Sequence, residues 1–444
     1  MTVARTICLG FLAVITVGTL FLMMPFATSN GNWNDPIVAL FTATSAVCVT
    51  GLAVVDTGTD FSFWGQLTIL ILIQIGGLGY MTISTFLILI LGRRFDLRQK
   101  MAIQESFDRP LLQGSQNLIR SILSMTLIFE IAGIFLLLSV FIPQYGWNFG
   151  LWSAIFHSIS AWNNAGFSLF SDSVVQYQSS FLVNLVIPGL IIFGGIGYQV
   201  IIELYLWFVS ILKRDRRKYL FSLNFKVVTS TTLFLLILGT IAFFFTELRN
   251  PNTLASLSFQ DKLLAAWFQS ATTRTAGFNT IDLGGMTAAA IFITMGFMLI
   301  GASPSGTGGG IKTTTIRIIA QSTYSILRGK EEVVLYSRTV PSSLILKAIA
   351  VVFGSVTTIV IATILIALTD TDFDFIQIFF EVVSAFATVG LSLGITASLS
   401  AAGKLVLIPV MYIGRVGVLL FMATILGESR PSVIKYPEEN LLVG

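Results

Sequence analysis

The sequence predicts an all-α polytopic membrane protein in which four pseudo-symmetric span–short helix–span units surround one central pore. Three observations predict it. Of 444 residues 55% are hydrophobic and 11% charged, against about 25% charged in soluble domains, and mean hydropathy is +0.86. The apolar residues gather into eight long blocks. Between alternate blocks lies a short apolar stretch that ends in a glycine-centred string, four times over.

The blocks cover approximately residues 6–26, 66–91, 118–142, 182–212, 225–246, 288–326, 345–368 and 402–426, each reaching the ~18-residue length of a span. The first lacks a small-residue cleavage site and is read as a retained span. Eight spans put both termini on one side. Arg93, Arg94, Arg98, Lys100 and Arg109 follow the second block, and Lys213, Arg214, Arg216, Arg217 and Lys218 the fourth. Arg328, Lys330 and Arg338 follow the sixth, while the opposite connections carry Asp35, Asp56, Asp60, Asp172, Asp370, Asp372 and Asp374. Lys and Arg stay on the cytoplasmic side, so both termini are expected in the cytoplasm. These basic runs set topology and are also candidates for docking a cytoplasmic partner. The net charge of +4 gives no reason to expect nucleic acid as a partner. Cys8 and Cys48 lie in different segments and imply no disulfide framework.

Each odd–even pair of blocks is joined by a connection holding one short stretch: Pro36–Val47, 151–162, 262–272 and Phe375–Ala387. Twelve helical residues reach about 18 Å, too short for a ~30 Å hydrocarbon core. The strings at their C-terminal ends point to re-entrant helices. Those at 42–52, 158–167, 269–278 and 384–391 all end in glycine plus an apolar residue, and the glycines recur at near-constant intervals (166−51, 277−166, 390−277). Glycine admits backbone angles closed to other residues, so an extended loop can turn its carbonyls toward one axis. A ring of carbonyls replaces the water shell of a dehydrated cation, and the C-terminal ends of four short helices add partial negative charge. The alternative is a plain glycine helix cap on an external loop. The common register favours a monovalent-cation filter at loops 49–52, 164–167, 275–278 and 388–391. Its candidate residues are Val49, Thr50 and Gly51; Asn164, Ala165 and Gly166; Thr275, Ala276 and Gly277; and Thr388, Val389 and Gly390. Potassium held by their backbone carbonyls is the expected ion.

The even-numbered blocks carry a second landmark, beginning at Gly76, Gly194, Gly301 and Gly414, at similar offsets from the filter glycine (76−51, 194−166, 301−277, 414−390). Small residues there let helices pack closely around an axis. Two exceptions break the pattern. Arg415 takes the place of Gly77, Gly195 and Ala302 near mid-span, about 18 Å from the helix end. A charge at that depth either faces a cavity functionally or pairs with protein, with Glu130 and Glu203 as candidate partners. The sixth block is interrupted by Gly301, Ala302, Ser303, Pro304, Ser305, Gly306, Thr307, Gly308, Gly309 and Gly310, followed by Lys312. This loop reads as a gate between two half-helices, or as a passive helix break. It is not a phosphate-binding P-loop, because Ile311 separates the last glycine from Lys312. His157 is the only histidine and the two cysteines are distant from each other, which nearly excludes zinc and Cys–His chemistry, and His157 is read as structural. No enzyme is expected.

These strings resemble the Trk/Ktr/HKT superfamily of potassium transporters, most of all the membrane subunit of the Ktr-type bacterial uptake systems. The resemblance is carried by the segments 49–58, 74–82, 156–173, 273–282, 308–315, 384–392 and 414–417 and covers essentially the whole chain. It implies potassium uptake across a bacterial cell membrane, with sodium dependence as a family trait. The filter roles fall on Gly51, Gly166, Gly277 and Gly390, and gate roles on Gly301–Gly310 and Arg415; Lys312, at the loop's end, either marks the cytoplasmic side or adds charge to the gate. A homodimer and a cytoplasmic ring of separate regulatory subunits that bind nucleotide are also implied; the longest hydrophilic stretch, about twenty residues, is too short for a soluble domain. The units would be 1–105, 106–220, 221–335 and 336–444. A sodium-conducting member of the superfamily and an alternating-access secondary transporter remain the alternatives.

Overall fold

Hydropathy and helix capping together determine where the chain turns. The computed structural model describes residues 3–79, 115–213 and 219–427. The basic residues Arg93, Arg94, Arg98, Lys100, Arg109, Arg214, Arg216, Arg217 and Lys218, and the end of the second block, lie outside the described residues. Apart from one short hairpin, Val334–Leu335 with Arg338–Thr339, the described elements are helical.

Among the described residues, four helices are long and apolar enough to cross a membrane: Ala4–Met23, Arg120–Trp162, Leu223–Glu247 and Ser342–Thr369. They correspond to the odd-numbered blocks. Their outward faces carry exposed side chains such as Leu20, Phe135, Phe234 and Phe353, whereas Thr44, Ser160, Asn164, Gln269 and Glu381 are fully buried in the interior. Apolar outside and polar inside is the arrangement that lipid around and water within would both stabilise.

Two of the even-numbered blocks differ from the expected continuous spans. Block 182–212 is two helices, Phe181–Ile196 and Tyr198–Leu212, bent by 102°, and block 402–426 is Ala401–Val416 and Val418–Leu426, bent by 101°. The bend residues Gly197 and Gly417 have φ of +90° and +93°, and Gly79, which ends Phe63–Leu78, has φ of +78°. The last glycine of each G-x-x-G string is therefore a helix break, since a side chain would disfavour that backbone. Block 288–326 is split into Ala288–Leu299 and Thr313–Leu327, interrupted at 301–310 where the sequence predicts it. A 16-residue half-helix is about 24 Å long, so each inner helix stops short of a full crossing.

The short helices lie where the sequence predicts them: Pro36–Val47, Phe259–Thr272 and Phe375–Ala387. The second follows Gly146, whose φ of +78° interrupts the helix Ser115–Trp162. Caps fix their starts. Asp35 accepts from the N–H groups of Ile37 and Val38, and Asp374 forms a capping box with Gln377, satisfying donors that a helix start leaves free. The inner half-helices all begin at a hydroxyl cap: Ser62, Ser180, Thr287 and Ser400. Each cap precedes its glycine landmark by one and the same interval (76−62, 194−180, 301−287, 414−400). That regularity is a sequence signal for where the inner helices begin.

Candidate cation pathway

The four loops share one backbone. Two residues before each glycine, Val49, Asn164, Thr275 and Thr388 have φ of +57°, +58°, +66° and +51°, and Gly51, Gly166, Gly277 and Gly390 have φ of +90°, +71°, +77° and +89°. The residues between them, Thr50, Ala165, Ala276 and Val389, keep negative φ. Alternating the sign of φ turns successive peptide planes the same way, so that N–H groups gather on one side and carbonyls on the other. Non-glycine residues seldom adopt positive φ. Four of them in one register make a built feature, which residue types alone do not reveal.

The loops close into a ring in chain order. A Cβ on Gly51 would stand 2.5 Å from the carbonyl oxygen of Ala165, one on Gly166 2.8 Å from that of Ala276, one on Gly277 2.5 Å from that of Val389, and one on Gly390 2.2 Å from that of Thr50. Four equivalent carbonyls therefore crowd four glycines, and any side chain there would displace backbone. Behind the ring, Leu52, Phe167, Phe278 and Leu391 are buried and anchor the loops. Hydrogen bonds hold the turns: Ser45 and Ser384 accept the N–H of Gly51 and Gly390, both at 3.1 Å, while Ser160 and Thr272 donate to the carbonyls of Phe167 and Phe278. All twelve expected loop residues are brought together.

On one side the ring opens into a cavity of about 460 Å³ lined by Asp56 and Asp282, with no Lys or Arg among its lining residues. Both aspartates stand five residues after a ring glycine (56−51, 282−277). On the other side lies the loop 301–310. Gly301 and Ala302 bond to Ile311 and Gly309 across the loop's neck, and Lys312 donates to the Gly308 carbonyl at 2.8 Å. Ser303 and Thr307 N–H groups donate to the carbonyls of Gly195 and Gly194, and Tyr198 N–H donates to Ser305. Pro304 lies against the bend as well, since a Cβ on Gly197 would stand 2.3 Å from its carbonyl oxygen.

The loop also touches the ring. Gly309 N–H donates to the Thr388 hydroxyl at 3.0 Å, a Cβ on Gly308 would overlap the Thr275 hydroxyl, and the Thr307 hydroxyl donates to Trp162 O at 3.3 Å and lies 3.4 Å from Asn164 Oδ1. Three of the four residues two before a ring glycine are thus in contact with it. The glycine landmarks act as packing sites: a Cβ on Gly76, Gly194 or Gly414 would stand 2.0, 2.0 or 1.8 Å from the carbonyl oxygen of Val47, Trp162 or Phe386. Each of these oxygens lies in the last turn of a short helix, four residues before its ring glycine. Gly301 instead packs on Gly309 of its own loop.

Arg415 donates to the carbonyls of Thr307 and Gly76, and to that of Gly77 at 3.4 Å. Among the described residues its hydrogen-bond partners are backbone oxygens and neither of the expected carboxylates. Glu203 receives the N–H and hydroxyl of Ser222, and Glu130 receives Asn163 at 3.3 Å. One guanidinium with several donors therefore ties the fourth inner helix to the loop and to the first inner helix.

Residues 10–429 match the family TrkH, described as cation transport protein. The chain belongs to that family. It is 42% identical over 446 residues to Ktr system potassium uptake protein B of Bacillus subtilis (strain 168), spanning 100% of this chain and 97% of the relative. Its identity to the protein of the same name from Vibrio alginolyticus is also 42%, over 99% of this chain and 94% of the relative. Potassium/sodium uptake protein NtpJ of Enterococcus hirae is 37% identical over 99% of this chain and 97% of its own length. The fold resembles that of the potassium transporter TrkH from Vibrio parahaemolyticus, with a TM-score of 0.72 and 18% identity over 95% of this chain and 83% of that one. The protein is thus a member of a cation-transport family, with a transporter fold made of apolar helices and bent helix pairs.

Proposed function

We propose that the chain is the ion-conducting subunit of a potassium-uptake system, with the ring as its selectivity filter and the loop 301–310, Lys312 and Arg415 as its gate. The observation that carries this reading is the ring: carbonyls of Thr50, Ala165, Ala276 and Val389 stand beside four glycines in cyclic order. A potassium ion shedding water there exchanges hydration for carbonyl oxygens. Four short helices direct their C-terminal ends toward the same region, favouring positive charge. Asp56 and Asp282 in the outer cavity raise local cation concentration by electrostatic steering.

The loop below the ring stands where ions leaving it would pass, and Arg415 adds a positive charge beside it. Release of the loop from Asn164, Thr275 and Thr388 would open the path, and glycine-rich sequence supplies the hinge freedom. The repeated spacing supports four units, 1–105, 106–220, 221–335 and 336–444, in one bacterial cell membrane with both termini cytoplasmic. The names of the two 42%-identical relatives support a Ktr-type system, and with it a homodimer and a separate nucleotide-binding regulatory ring on the cytoplasmic side.

Growth at limiting potassium of a cell lacking its own uptake systems tests the reading, with and without a co-expressed regulatory subunit. Rescue by the wild type and loss of rescue on substituting Gly277 support it; failure to accumulate potassium in any combination overturns it. Sodium is the second reading, favoured by a relative named for potassium and sodium, and sodium flux in the same cells distinguishes the two.

A further inference from the structure

Nine residues before each ring glycine stands a residue of a short helix: Thr42, His157, Phe268 and Glu381 (51−42, 166−157, 277−268, 390−381). All four are buried. Two residues after the glycines stand Ala53, Ser168, Asn279 and Ser392. In the second and fourth loops these two positions are joined by a hydrogen bond.

His157 Nε2 lies 2.9 Å from Ser168 Oγ, and its Nδ1 lies 2.7 Å from the Ser153 carbonyl oxygen. A carbonyl only accepts, so Nδ1 carries a proton, and in the neutral ring Nε2 accepts from the Ser168 hydroxyl, for whose single proton the Ser173 carbonyl oxygen at 3.1 Å competes. In the fourth loop the Ser392 hydroxyl donates to Glu381 Oε1, and Thr396 donates to Oε2 at 2.9 Å. Each serine also accepts a backbone N–H two residues further on, from Phe170 at 3.0 Å and from Gly394 at 2.9 Å. The same three-point link is thus built twice from different side chains. The other two loops lack it: the Thr42 hydroxyl has no partner among the described residues, Ala53 has no polar side-chain atom, and Phe268 has none. Because the ring closes in chain order, the two linked loops stand opposite each other.

We propose that His157 and Glu381 are positioning residues that brace the outer rims of the second and fourth loops through Ser168 and Ser392, and so tune which cation the ring accepts. The proposal rests on the reading of the ring as a selectivity filter. Discrimination between potassium and a smaller cation weakens if the carbonyls can close in around the smaller ion. A side chain rooted in a buried helix and bonded to the rim opposes that movement. Ser168 and Ser392 line the outer cavity, so the braces act where an arriving ion gives up water.

The test is the potassium-to-sodium uptake ratio of the full-length protein in the potassium-uptake-deficient cell. Ser168→Ala and Ser392→Ala, which delete only a hydroxyl, are each expected to lower the ratio by about fivefold, the ratio that one ordinary hydrogen bond carries. Glu381→Gln keeps an acceptor oxygen and is expected to restore most of what Glu381→Ala loses. Thr42→Ala, at the same register in an unbraced loop, is expected to leave the ratio unchanged. Wild-type ratios in both serine variants, alongside an altered ratio in Gly390→Ala, would overturn the brace alone. A wild-type ratio in Gly390→Ala would instead sink the filter reading beneath it. If both serine variants fail to accumulate as folded protein, the link serves folding and the proposal is wrong.

Discussion

The backbone N–H of Gly309 donates to the Thr388 hydroxyl at 3.0 Å, so the inner loop hangs directly from the fourth segment of the ring. One hydrogen bond joins loop and ring at this point, between residues 79 positions apart, and both ends are buried.

Thr388→Val removes that acceptor while nearly preserving shape. A buried N–H left without a partner costs about 1–3 kcal/mol, and the cost falls on the seated loop. The expected outcome is faster potassium uptake with no loss of folded protein. Unchanged initial rates of rubidium-tracer uptake would show that the tie does not hold the loop.

The ring glycines rank by crowding. A Cβ on Gly390 meets Thr50 O at 2.2 Å, on Gly51 and Gly277 the neighbouring oxygen at 2.5 Å, and on Gly166 at 2.8 Å. All four also sit at positive φ, which disfavours alanine. Alanine substitution is therefore expected to damage potassium selectivity most at Gly390 and least at Gly166. Sodium competition assays on the four single variants check the order; equal effects would mean crowding is not what sets it.

Arg415 spans three carbonyls, on the loop 301–310 and on the first inner helix. Arg415→Lys keeps the charge but offers one compact ammonium in place of a planar fork, so it cannot hold the loop and the first inner helix together. Uptake is expected to rise in both Arg415→Lys and Arg415→Ala, with both proteins folded by size-exclusion in detergent. A wild-type rate in the lysine variant would assign the effect to charge alone.

At the C-terminal end of Ser342–Thr369, Asp370 accepts from the Ser400 backbone N–H at 2.5 Å, from its hydroxyl at 2.9 Å and from Thr369 at 2.7 Å. Burial pushes its carboxyl up, but the hydrogen bonds from the Ser400 backbone and the Thr369 and Ser400 hydroxyls, with Lys404 nearby, hold it below the ordinary 3.8. A depressed acid stabilises the fold above its unfolded value, and that contribution disappears as pH falls through the folded value. Thermal unfolding in detergent is expected to show the wild type losing its advantage over Asp370→Asn only below about pH 4. A constant gap down to strongly acidic pH would contradict the assignment.

Much of this pathway is legible in one dimension. The four glycines, the short helices at Pro36–Val47 and Phe375–Ala387, and the interrupted block at Gly301 follow from period, length and local chemistry. The inner helices read as continuous because Gly79, Gly197 and Gly417 look like packing residues in the sequence, and a helix break is only distinguishable once φ is known. The link from His157 to Ser168 is not legible in the sequence because Ser168 lies beyond the turn that folds back on it.

Which segments are apolar enough to span, where helices start at Asp35, Ser62 or Ser400, and which loops can present carbonyls are all written in the primary structure, since these depend on neighbours within a few residues. Three-dimensional packing alone makes the loops close in the order 51, 166, 277, 390, brings the loop at 301–310 against Asn164, Thr275 and Thr388, and gives Arg415 backbone carbonyls in place of Glu130 or Glu203. Each of those is a contact between residues tens to hundreds of positions apart. Local propensity carries no information about such pairs; the packing of buried polar groups, most of which find a partner, selects them.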